Sequence, residues 1–382
     1  MAEPFKNLLG PPLIAQAAHH LKRAWPKFDA KRFASLALDG LDALEMKQRA
    51  MQISAALDTT LPDRFEHAAE VIEASLGPPG AGDDLASLRT TEAGLAGWIV
   101  WPLSHYVARR GLATPERGLA ALHALTQRLS CEWAIRSFIE HEPRLTYDTL
   151  HRWLADPSAH VRRLVSEGTR PRLPWGQQLK ALIADPSPNL PLLRALQDDG
   201  SAYVRRSVAN HLNDIAKDHP GLVAQWLEEH LLEAPDERRA LLRHASRTLI
   251  KQGDARVLRA WGLGRRFAGE ARLVVAPRRI VLGGSLRLQL TLVSSSRQAQ
   301  KLVIDYAVHH VKADGSTSPK VFKGWTIELA AHERRSLEKS HPVRPITTRR
   351  YHAGRHEIEL LVNGAAVARA SFDLRLDRSG LS

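Results

Sequence analysis

Two near-matching segments constrain this chain more than any other feature. The first runs Asp156-Pro157-Ser158-Ala159-His160-Val161-Arg162-Arg163 and the second Asp199-Gly200-Ser201-Ala202-Tyr203-Val204-Arg205-Arg206. They recur at a spacing of about 43 residues, the length of a two-helix repeat. A unit of this size cannot bury its apolar face alone, so neighbouring units must stack to supply the cover. In each copy the Asp and Ser oxygens suit the free N–H groups of a helix start, and the Val opens an apolar face. Stacked helix pairs present an extended concave surface, and the doubled Arg gives each unit a cationic side. Such a surface suits a long polyanion.

The period falls in the range of HEAT-type repeats, which predicts an α-helical solenoid over residues 1–264. After Pro26, Phe28–Phe33 reads as a helix start, with Leu36, Leu41 and Leu44 at helical spacing. Gly77-Pro78-Pro79-Gly80-Ala81-Gly82 reads as a loop. In Gly97-Trp98-Ile99-Val100-Trp101-Pro102-Leu103 the Pro fits a first helical turn. Asp156-Pro157, Asp185-Pro186 and His219-Pro220 mark joints between helices. Near Gly262–Gly269 the pattern changes. Ser285–Leu292 alternates strictly, and Lys301–His309, Val321–Leu329 and His356–Val362 are further strand candidates. Asn363-Gly364, between Val362 and Ala365, is a hairpin signal because a type I′ turn needs positive φ at both central residues. About seven strands fit residues 270–376, which predicts an immunoglobulin-like β-sandwich.

Charge sharpens the reading. The formal net charge of the 382 residues is +13, which favours an acidic partner such as nucleic acid. The excess is uneven: from Arg265 onward there are 21 Lys and Arg against 10 Asp and Glu, and the preceding residues are nearly neutral. The single cysteine, Cys131, allows no internal disulfide and no multi-thiolate metal site. That fits the reducing cytoplasm, and MAEPFKNLLG lacks the features of a secretory leader. The apolar run Trp98–Leu103 is far too short to span a bilayer.

No HExxH, GxGxxG, phosphate-binding GxxxxGK[ST] or GxSxG pattern occurs, and the scattered His residues predict neither metal nor cofactor. What remains is a set of acidic residues among arginines. Glu132 stands one helical turn before Arg136. Glu167 follows the first Val-Arg-Arg. Its repeat counterpart is Asn210, with Asp214 one turn further on the same face. Trp175 follows the stiff turn Arg170-Pro171-Arg172-Leu173-Pro174, which would hold an indole at the edge of the cradle. Singly, each acid reads as a solvated ion pair and the Trp as core. Together on successive repeats they place carboxylates inside a basic groove, which is costly in self-energy and so suggests function.

Several strings resemble the DNA alkylation repair glycosylases with HEAT-like repeats, in their AlkC branch. They are Trp98–Leu103, Cys131–Ile139, Val161–Trp175 and Tyr203–Pro220. The resemblance covers Lys6 to Gly264, and a C-terminal Ig-like domain also belongs to this branch. It implies a monofunctional glycosylase that releases 3-methyladenine and 3-methylcytosine from double-stranded DNA, acting as a monomer without a cofactor. It carries over Asp214 as the main catalytic carboxylate, Glu167 and Glu132 as assisting acids, and Trp175 against the deoxyribose or lesion face. Arg136, Arg162, Arg163, Arg170, Arg205 and Arg206 are candidate phosphate contacts, with Arg349 and Arg350 in a loop of the β domain. The rival reading is a non-catalytic HEAT-repeat DNA-binding or scaffold protein whose carboxylates only pair with arginines. A protein–protein adaptor is a third, which leaves the basic C-terminal domain without a use. Convergence of Glu132, Glu167, Trp175 and Asp214 on one spot separates the first from the others.

Overall fold

The structure is a computed structural model that describes residues 4–80, 82–83, 87–263, 265–346 and 349–376. Ala81, in the Pro/Gly-rich loop, and Gly264, the expected end of the helical region, lie outside the described residues. The chain forms two compact units: Met1–His219 with Ala234–Ala245, and Pro220–Glu233 with Ser246–Ser382.

The first unit is helical. Phe28–Phe33 does lead into a helix, Ala30–Leu38, capped by the Asp29 side chain. The two repeat segments open the helices Ala159–Gly168 and Ala202–Ile215, which pack on one another. Val161, Leu164, Val165 and Gly168 are buried on one, and Val204, Val208, Leu212 and Ile215 on the other. That is the spacing of a single helical stripe. Both copies begin with the same turn: Asp156 Oδ1 accepts from Ser158 N and Asp199 Oδ1 from Ser201 N, each at 2.8 Å. The caps then differ. Ser201 accepts from Tyr203 N and Val204 N, whereas Ser158 makes no side-chain cap bond. Gly168 ends its helix where a Cβ would lie 2.5 Å from Ile135 Cγ2. Only glycine permits that approach, which brings the Glu167 end of one helix against the start of the Ile135–His141 helix.

The second unit holds the helices Pro220–His230, Arg247–Gln252 and Ala255–Ala260 and all eight named strands. These are β1 (Gly269–Ala276), β2 (Arg279–Val281), β3 (Ser285–Ser294), β4 (Gln300–Val311), β5 (Thr317–Leu329), β6 (Arg334–Pro342), β7 (Gly354–Val362) and β8 (Ala365–Arg375). One sheet has the order β1-β3-β6 and the other β2-β8-β7-β4-β5. Leu286, Leu288, Leu290 and Leu292 of β3 meet Ile304, Tyr306 and Val308 of β4 and Ile358, Leu360 and Val362 of β7 in one core. The alternation seen in the sequence is therefore the inner face of a two-sheet sandwich. Among the described residues no named strand precedes β1, and no helix is long and apolar enough to cross a membrane.

The Asn363-Gly364 turn joins β7 to β8 with φ of 48° and 79°. Asn363 Oδ1 accepts from Val303 N at 2.9 Å, and its Nδ2 donates to Arg265 O at 2.9 Å. Gly364 also lies against Gly253, where a Cβ would come 2.5 Å from the Gly253 Cα. Both its φ and its neighbour require glycine. Gly364→Ala should therefore lower the thermal midpoint of the β-rich unit, at a cost of about 1–3 kcal/mol. Differential scanning calorimetry of the full chain checks this. An unchanged midpoint would mean that the turn relaxes freely.

Candidate active site

Three predicted carboxylates converge. Glu132 sits in the turn before the Ile135–His141 helix, Glu167 on the Ala159–Gly168 helix, and Asp214 on the Ala202–Ile215 helix. Arginines bridge them. Arg163 Nη1 donates to Glu132 Oε2 at 2.6 Å, and its Nη2 lies 3.5 Å from Glu167 Oε1. Arg170 Nη1 reaches the same Glu167 oxygen at 2.5 Å. The Nε and Nη2 of Arg170 reach Asp214 Oδ2 at 2.8 and 2.7 Å. Lys217 Nζ closes the row on Asp214 Oδ1 at 2.8 Å. The result is a ladder of alternating sign: Glu132, Arg163, Glu167, Arg170, Asp214, Lys217. Glu132 thus pairs with Arg163 on another helix rather than with its sequence neighbour Arg136.

Burial strengthens the inner links from Arg163 to Asp214, since water screens little of the attraction there. Burial alone would raise the Glu167 carboxyl. Arg163 and Arg170, with the Ser207 hydroxyl donating to Oε2 at 2.6 Å, outweigh it and hold the group below the usual carboxylate range. Ser207 occupies the repeat position of Leu164. A hydroxyl at a core position of one copy was the signal that could have found it. The Arg163 guanidinium lies 4.9 Å from the Tyr203 ring centroid. Tyr203 and Lys217 were also missed by the motif reading.

Beneath the ladder, Tyr147 Oη donates to Asn189 Oδ1 at 2.7 Å, and Asn189 Nδ2 donates to Thr169 O at 3.1 Å. These bonds fix the amide, so the Nδ2 that lies 3.2 Å from His211 Nε2 must donate to it. His211 Nδ1 then carries its proton toward Ser166 O at 2.9 Å. The imidazole is held neutral, and burial pushes its pKa down to about 4.

Arg136 is the main correction. It is wholly buried, not open to phosphate. Its Nη1 donates to Gly168 O at 2.9 Å and Arg170 O at 2.7 Å, and its Nε and Nη2 donate to Gln177 O at 2.9 and 2.6 Å. It staples the 168–177 loop, which carries Arg170 and Trp175. Arg170 is likewise buried, and Arg163 is only slightly exposed; both are taken up by the carboxylates of the ladder. Arg162 is also occupied. It forks onto Asp199 at 2.6 and 3.0 Å and reaches Asp156 O at 2.8 Å, tying one repeat to the next. Arg205 donates to Asp199 O at 2.5 Å and stays partly exposed. Arg206 and Arg350 are exposed, and Arg349 lies near the Tyr351 ring.

Trp175 is 58% exposed and has φ of +62°, a conformation that bulky residues rarely adopt. The surrounding bonds hold it there. Besides Arg136, Arg172 forks onto Asp218 with both contacts at 2.8 Å, and Trp133 Nε1 donates to Pro174 O at 3.2 Å. The indole stacks at 6.2 Å on Trp101 and 6.5 Å on Trp133, with Phe5 at 6.1 Å and 48% exposed. An aromatic platform with one open indole thus shares the loop that delivers Arg170. Among the described residues, no group of three or more His, Cys, Asp and Glu is placed to hold a metal ion.

The family model described as the C-terminal Ig-like domain of the uncharacterised protein YhaZ matches residues 270–376. The uncharacterized protein YhaZ of Bacillus subtilis is 36% identical over 368 residues, covering 94% of this chain and 96% of its own length. The Pseudomonas fluorescens alkylpurine DNA glycosylase AlkC, solved bound to DNA containing an abasic site analog, superposes with a TM-score of 0.89. It is 37% identical, with 98% of this chain and 100% of that one covered. The chain belongs to the AlkC family. Its β-rich C-terminal part, residues 270–376, matches that Ig-like domain.

The neutral His211 gives this AlkC-family chain a pH dependence. Its folded pKa is below the unfolded value of about 6.5, so the stability it contributes is complete above pH 6.5. That stability is lost as pH falls toward about 4. The loss amounts to about 3 kcal/mol. Thermal midpoints of the wild type and His211→Gln across pH 4–8 check this. The variant should start lower and decline less below pH 6.5, and parallel curves would remove His211 from the effect.

Proposed function

We propose that this chain is a monofunctional DNA glycosylase that hydrolyses the N-glycosidic bond of cationic N-alkylated bases, 3-methyladenine and 3-methylcytosine, in duplex DNA. One observation carries the reading. Glu132, Glu167 and Asp214, far apart in sequence, are joined by Arg163 and Arg170 in one ladder, and Arg170 lies on the loop that carries Trp175. The full-length likeness to an alkylpurine DNA glycosylase supports it.

Methylation at N3 makes the base cationic and a good leaving group. As the bond breaks, positive charge develops on the sugar, and a carboxylate in a dry site stabilises it. Asp214 is the group assigned that role and the orientation of water. Glu167 and Glu132 keep the arginines in place and add to the negative field. Trp175 packs its open face on the deoxyribose or the lesion face. The HEAT-like helical unit carries the chemistry. The basic Ig-like domain grips the duplex with Arg349 and Arg350, and the protein acts as a cytoplasmic monomer.

The rival is a non-catalytic DNA-binding scaffold, favoured by the full pairing of all three carboxylates. Release of methylated bases from alkylated DNA by the purified protein separates the two. Asp214→Asn should cut release by about 10²-fold or more and leave binding to undamaged duplex nearly intact. Wild-type rates in the variant would exclude Asp214 from the mechanism.

The grip has its own test. Arg349→Ala with Arg350→Ala should weaken duplex binding and reduce the log–log salt slope by about 1.8, the value for two phosphates. Anisotropy titrations across salt check this. An unchanged slope would take this loop off the DNA.

A further inference from the structure

The ladder contains three carboxylates and three cations, so its charge sums to zero. A cationic sugar gains little beside a neutral cluster. One cation must leave for Asp214 to act, and only one is free to go. Arg170 is buried and Arg163 only slightly exposed, each is shared between two carboxylates, and the Arg170 carbonyl is held by Arg136. Lys217 is the terminal member and is exposed, with one carboxylate partner in the ladder. The adjacent carboxylate, Asp218, is already occupied by the Arg172 fork. A lysine on a flexible stem exchanges partners readily, unlike a planar guanidinium held in a fork.

We propose that Lys217 is a phosphate-operated release for Asp214. A DNA phosphate draws the ammonium off Asp214 Oδ1 and leaves the ladder one negative charge in excess, beside the place where the cationic sugar forms. This rests on the glycosylase reading above and adds to it a step in which binding prepares the site. In the free protein the paired carboxylate is stable. In the complex the same lysine contributes to affinity while the uncovered carboxylate contributes to the chemistry.

The test is Lys217→Met in the full chain, with Lys217→Gln as a second variant and circular dichroism to confirm folding. Binding of an undamaged duplex is titrated across salt, and single-turnover release from a methylated duplex is followed across concentration. Both variants should bind several-fold more weakly, with a log–log salt slope smaller by about 0.9, one phosphate. The loss in release should fall on the half-saturating concentration and not on the rate at saturation. An unchanged slope overturns the proposal. A fall of about 100-fold at saturation also overturns it, because Asp214 would then need Lys217 throughout the reaction. A wild-type chain that releases no base is a distinct failure, that of the glycosylase reading, because the salt slope requires no damaged base.

Discussion

The alternating ladder from Glu132 to Lys217 is the interaction on which the rest of the helical unit depends. Three carboxylates and two guanidinium groups are withdrawn from water there, and each would be costly alone. Sharing makes the burial tolerable: every inner member touches two partners of opposite sign. The sharing also fixes geometry, because Arg170 reaches both Glu167 and Asp214 only if the Ala159–Gly168 helix, the loop after it and the Ala202–Ile215 helix are all in register. A site built this way couples the fold of two repeats to the placement of one carboxylate. Removing a single inner member leaves an unpaired buried charge, a larger loss than removing a surface pair.

The loop between those helices is fixed with equal care. Arg136, buried among carbonyls, holds the backbone of Gly168, Arg170 and Gln177, and Asp214 holds the Arg170 side chain. That explains how Trp175 can keep a positive φ and an exposed indole. The strain is held by bonds elsewhere in the loop, and the result is a rigid aromatic face beside a row of charges. A fixed aromatic surface, paired carboxylates and one exposed lysine thus lie on neighbouring elements of the same unit.

Much of this was legible in the sequence. The 43-residue repeat and the change from helical spacing to alternation near Gly262–Gly269 set out a helical region followed by β structure, because periodicity records which face is buried. Asn363-Gly364 placed its hairpin because only such residues take positive φ in succession. Glu132, Glu167, Asp214 and Trp175 were singled out by spacing and family resemblance, and the structure joins the three carboxylates through Arg163 and Arg170. Ser207 could also have been found, as a hydroxyl at a core position.

What the sequence could not decide is which arginine does what. Arg136, Arg162, Arg163, Arg170 and Arg206 are the same residue type in similar strings. One is a buried staple, one ties repeat to repeat, two are rungs of the ladder and one faces solvent. Periodicity gives the face of a helix but not the partner across from it. A guanidinium pairs with whichever carboxylate or carbonyl the packing brings within 3 Å, and that distance is set by helices far apart in the chain. Charge type and helix position were therefore fixed by the residues themselves. Pairing, burial and the exposure of Lys217 were decided only when the two repeats stacked.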